Sequence, residues 1–243
     1  MIFDEVLQDA AARAAETPIY AGPKGPEANL TASIRVALDA LGHHSLSSEI
    51  RYEIPGWTRP PGGVDLVADL ADGTRVLMEM KKGKPDEALW DALKLGDIAE
   101  MDTAPVLAGA YLVYDGDAGD WAPTRDGARL FTECPRVWDA RELIEAWPNA
   151  WLWLLKGGNG IRPREGIGAI RIEPVTTDRL KRYPDRTLRI VKVAPVQGVP
   201  PQHYDRDGWP SGYEPPAGMR SAIQRADGQS THRSSNGPTP TTR

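Results

Sequence analysis

A single cysteine, Cys134, among 243 residues leaves nothing to pair with in a disulfide and too few thiolates for a multi-cysteine zinc or iron–sulfur site. The four histidines, His43, His44, His203 and His232, include no pair at the i, i+4 spacing of a helical zinc motif. Long apolar runs are missing too: the longest, Ala150 to Leu155, is far short of the ~20 residues a membrane helix needs. The first residues carry Asp4, Glu5 and Asp9 instead of the basic-then-apolar order of an export signal. A reducing cytoplasm and no membrane partner are therefore expected. Nor is there an excess of positive charge. With 29 Lys and Arg against 34 Asp and Glu, the net charge of -5 argues against a chain that coats nucleic acid, though not against an enzyme with a local basic groove.

What is present reads as a globular α/β chain. Hydrophobic residues make up 40% and charged residues 26%, and the length suffices for one large domain with extensions. The spacing predicts a helix over Ile2 to Ala15 and a second over Glu27 to Leu41, the latter with Leu30, Ile34, Ala37, Leu38 and Leu41 on one face. Gly42 is its natural stop. A strand over Ser47 to Ile54 and a proline-rich loop over Pro55 to Gly62 lead into a hairpin: Gly63 to Leu70, an Asp72-Gly73 turn, then Arg75 to Lys81. A helix from Asp86 to Met101 follows, apolar at Ala88, Leu89, Ala92, Leu93, Gly96 and Ala99. Pro105 to Tyr114 is nearly continuous apolar chain, the signature of a strand covered on both faces. A short strand at Arg136 to Asp139 precedes a helix over Ala140 to Lys156 that Pro148 interrupts.

The expected fold class is α/β: a mixed central sheet flanked by helices in αβββαβ order, with a C-terminal β-extension and a disordered tail. The corresponding division is a core over residues 1–156, a β-extension over 157–197 with strands near Gly168 to Pro174 and Thr187 to Ala194, and a tail over 198–243. In the tail Pro, Gly, Ser, Thr and Gln dominate, and burial is expected to fall short of the ordering entropy.

The hairpin carries the chemistry. Side chains alternate across a strand, so Glu79 and Lys81 share a face with Leu77, and Asp65 on the first strand is placed across the ladder from Glu79. Two carboxylates suit Mg²⁺, or Mn²⁺ in its place, with the carbonyl of Met80 as a neutral third oxygen. Lys81 would orient water or stabilise charge on a phosphoryl group, so phosphodiester hydrolysis is the natural reaction class. Against this stands the plain alternative of a solvent-facing hairpin with cross-strand ion pairs.

Asp65, thirteen intervening residues and then Glu79-Met80-Lys81, on a hairpin after a helix and a strand, resembles the PD-(D/E)xK nuclease superfamily. The likeness covers about residues 26 to 115, with some support to 139. It implies a restriction-endonuclease-like core in which the Asp and Glu bind the catalytic metal and the Lys assists hydrolysis. Members often add a Glu on the first core helix, which points to Glu27, with Glu49 on the first strand as a second candidate. Val64 stands where the name-giving proline would precede Asp65. The helix after the Lys offers Asp91, Lys94 and Asp97 where the exonuclease-like branch has Gln and Tyr.

Charge is unevenly distributed. Lys156 to Lys192 holds ten basic and four acidic residues. Lys82 and Lys84 beside the hairpin, with Arg162, Arg164, Lys181 and Arg182, are the candidates for holding a nucleic-acid backbone, DNA being the expected partner. A solvated basic face is the plain reading of the same residues. The alternative to a nuclease is a catalytically silent module of the same fold that binds nucleic acid or a protein.

Overall fold

The computed structural model describes residues 3–16, 27–57, 63–82, 88–101, 105–117, 129–156, 162–175, 180–183 and 186–225. The elements are α1 (Phe3–Glu16), α2 (Glu27–Ala40), β1 (Leu46–Ile50), β2 (Val64–Asp69), β3 (Arg75–Lys82), α3 (Ala88–Glu100), β4 (Leu107–Asp117), α4 (Arg129–Thr132), β5 (Arg136–Asp139), α5 (Ala140–Ala146), α6 (Pro148–Lys156), β6 (Glu165–Gly166), β7 (Ala169–Pro174), β8 (Leu180–Tyr183), β9 (Arg186–Pro195) and β10 (Gln202–His203). The fold class is α/β, a mixed sheet flanked by helices.

The main sheet runs β1-β2-β3-β4-β9-β7-β5, with β8 also beside β9. Among the described residues only β3 and β4 pair in parallel, and a parallel pair needs a crossover element, which α3 provides. Alternation along β3 separates two cores. Val76, Met78 and Met80 enter the layer under α1 and α2 with Leu30, Ile34 and Leu38. Leu77 enters the layer under α3, with Leu89, Ala92 and Leu93. Glu79 and Lys81 follow Leu77 in the two-residue period, so the α3 side receives their charge.

The helix and strand boundaries shift from the sequence-based expectation by a few residues. The first strand ends at Ile50, and Glu49 takes a left-handed φ of 55° within it. The 140–156 helix does divide at Pro148: Trp147 caps α5 and α6 begins afresh.

Two expectations are corrected. The expected β-extension is not an appendage: β9 lies inside the main sheet between β4 and β7, and registers against β4 from Ala110↔Val193 to Asp117↔Arg186. Pairing the free edge of β4 is what recruits it. The expected tail disorder fails over residues 198–225, which are ordered. There Tyr204, Trp209 and Ile223 are buried in the α3 core, and Trp151 Nε1 donates to the Gly208 carbonyl at 2.9 Å. Asp205 ties the loop locally: its Oδ1 accepts the Asp207 and Trp209 amides, and Arg220 pairs with its Oδ2 at 2.6 Å. Three large apolar anchors and one carboxylate overcome a composition that averages as unfoldable. Residues 226–243 of the expected tail lie outside the described residues.

Candidate active site

The site begins where the β2–β3 ladder ends. Its register runs from Asp69↔Arg75 to Leu66↔Met78. Beyond that pair the Asp65 carboxylate takes over, its Oδ2 accepting the Met80 amide at 2.8 Å. The side chain thus fixes itself to β3 next to Glu79, which is 2% exposed. From the opposite layer, α3 presents Asp91 and Lys94, 4% and 3% exposed on a mainly apolar helix face.

Two ammonium groups stitch these carboxylates together. Lys94 Nζ lies 2.5 Å from Glu79 Oε1, 3.4 Å from Asp91 Oδ1 and 3.3 Å from the Gly63 carbonyl, to which it donates. Lys81 Nζ lies 3.0 Å from Asp91 Oδ2 and 3.3 Å from Glu27 Oε1. Glu27, the first residue of α2, also accepts the Lys82 amide on Oε2 at 3.3 Å. The candidates Asp65, Glu79, Lys81 and Glu27 are therefore brought to one end of the sheet. Asp91 and Lys94 join them, and sequence reasoning did not single these two out as site residues. The signal for them was an acid and a base three residues apart inside an apolar helical stripe, where unpaired charge is costly.

The electrostatics share one sign. Burial raises the Glu27 carboxyl, with Lys81 opposing and Asp65 and Asp91 adding to the rise. Glu79 is pushed well up by burial first, then by Asp91, with Lys94 opposing. Burial alone would lower both lysines, yet both are raised: Asp91 and Glu27 hold Lys81, while Asp91 and Glu79 hold Lys94. Among the described residues four carboxylates face two ammonium groups, a negative excess that keeps both lysines charged against the effect of burial.

Do these residues fit a divalent cation? Glu79 Oε1 and Asp91 Oδ2 are buried carboxylate oxygens whose close partners are the Lys94 and Lys81 ammonium groups. Carboxylate oxygens suit a hard cation, so the chemistry of the donor set fits. Among the described residues, however, no three His, Cys, Asp or Glu side chains are gathered at metal-holding geometry. The lysine head groups stand between the carboxylates and keep them apart.

The remaining candidates are dispersed. The Met80 side chain is buried in the α1–α2 core, so only its backbone reaches the site. Lys82 points the other way from Lys81 and faces buried Asp115 at 3.8 Å, an interior cation and not the groove-lining one expected. Lys84 lies outside the described residues. Arg162 donates to the Leu155 carbonyl and Arg164 to that of Asp205 at 3.2 Å, both pinning the backbone near α6. Lys181 and Arg182 fall on β8 beside β9. Glu49 is exposed. Asp97, one turn below Lys94, accepts the Ile167 amide at 2.6 Å and anchors the 162–168 segment.

No family model, curated protein or solved structure matches the chain.

Proposed function

We propose that the chain is a divalent-metal-dependent nuclease of the PD-(D/E)xK type, hydrolysing phosphodiester bonds in nucleic acid, DNA first. The observation that carries this reading is the meeting of Asp65, Glu79, Lys81 and Glu27 at one end of the sheet. Asp65 and Glu79 would hold Mg²⁺ or Mn²⁺, the Met80 carbonyl would supply a third oxygen, and Asp91 belongs to the same cluster. The cation's contribution is positive charge against the phosphate oxygens and a lowered water pKa. Lys81, 16% exposed at its side chain, is the more exposed of the two lysines, with Glu27 and Asp91 fixing its ammonium. It donates hydrogen bonds to a phosphate oxygen as charge builds. Asp65 is held by an amide and needs no reorganisation to act as a ligand.

A silent module of the same fold is the second reading, favoured by one specific observation: both ammonium groups already neutralise carboxylates that a metal would use. Purified chain incubated with plasmid and single-stranded DNA in Mg²⁺, Mn²⁺ or chelator separates the two. Cleavage that requires metal, and falls by about 10²-fold or more in both Asp65→Asn and Lys81→Met, is expected of the enzyme. DNA binding without cleavage, unchanged in both variants, would establish the silent module instead.

A further inference from the structure

The two lysines of the cluster are not equivalent. Lys81 is 16% exposed at its side chain, whereas Lys94 projects from α3, is 3% exposed and is ringed by three oxygens from Glu79, Asp91 and Gly63. An ammonium coordinated only by oxygens occupies the kind of environment a hard divalent cation seeks. Its shortest contact is to Glu79 Oε1, and its two longer contacts are to Asp91 and Gly63.

We propose that Lys94 is a resident cation that competes with the divalent metal for Glu79 and, when the metal binds, gives up Glu79 while keeping Asp91 and the Gly63 carbonyl. Asp91 is the retreat that makes this exchange local. Without metal Lys94 neutralises Glu79, so the fold does not carry that buried carboxylate unpaired. This rests on the metal-dependent reading above.

The test titrates Mn²⁺, without DNA, into the full chain by calorimetry for wild type, Lys94→Met and Asp65→Asn, with circular dichroism to confirm folding. Competition requires Lys94→Met to bind Mn²⁺ about tenfold or more tightly than wild type, since a like charge beside the ligand has been removed. Wild-type binding without that gain overturns the competition and leaves the metal site standing. No binding to either chain, or binding that Asp65→Asn leaves intact, overturns the metal-site reading and this proposal with it. Should Lys94→Met not fold, lysine-selective ¹⁵N spectra of the wild type decide. Mg²⁺ must then produce a saturable shift of the Lys94 ammonium signal, and an unmoved signal overturns the proposal.

Discussion

Two buried carboxyl groups, Glu79 and Asp97, are both driven toward the acid form, for different reasons. Glu79 sits among other carboxylates, so its rise combines burial with Asp91 and Asp65. Asp97 rises to about 7 chiefly through burial, with the Ile167 amide pulling it down and Glu100 adding a smaller upward push. A group whose folded pKa exceeds its unfolded value stabilises fully below the unfolded pKa and loses that contribution as pH climbs through the folded one. For Asp97 the window runs from its ordinary 3.8 to about 7. Urea unfolding is therefore expected to show stability falling by on the order of 2–4 kcal/mol across that window. Asp97→Asn keeps an oxygen for the Ile167 amide and removes the titration, so its profile should be flatter. An identical slope in wild type and variant would show that Asp97 is not the group responsible.

At the scale of elements, the hairpin and its neighbours were legible because their periods are local. Glu79 and Lys81 follow Leu77 on one face of β3, and the α2 and α3 faces follow helical spacing. The α3 contribution was harder to read: Asp91 and Lys94 look like ordinary helix charges until the helix is known to lie on the charged end of β3. The strap over residues 198–225 was illegible for another reason. Composition averages over a window, whereas its order depends on Tyr204, Trp209 and Ile223 each finding one place in the α3 core. Trp209 is fully buried, so Trp209→Ala is expected to cost about 3–5 kcal/mol in urea unfolding. A cost below about 1 kcal/mol, the range of an exposed surface change, would mean that the strap is not part of the core.

For the whole molecule, chain order and sheet order diverge at β9. A sequence reader sees a complete αβββαβ unit ending before Lys156 and a later basic segment. The sheet instead inserts β9 against β4 and hangs β7 and β5 from it. Nothing local in Thr187 to Ala194 specifies that pairing; the exposed edge of β4 does. A fragment ending at Lys156 would lose β9 and leave β5 without its β7 partner. It is expected to show no cooperative unfolding and to bind a dye for exposed apolar surface. Cooperative unfolding of that fragment would restore the boundary expected from sequence.

A metal-dependent nuclease requires the end of the sheet holding Asp65 and Glu79 to take a divalent cation. Crystals soaked in Mn²⁺ and measured for anomalous scattering test this most directly. The expected result is one strong peak at ~2.0–2.3 Å from carboxylate oxygens of both Asp65 and Glu79, with the Lys94 ammonium moved off Glu79. Full-occupancy lysine contacts to Glu79 and Asp91, with no peak between Asp65 and Glu79 in saturating Mn²⁺, would contradict it.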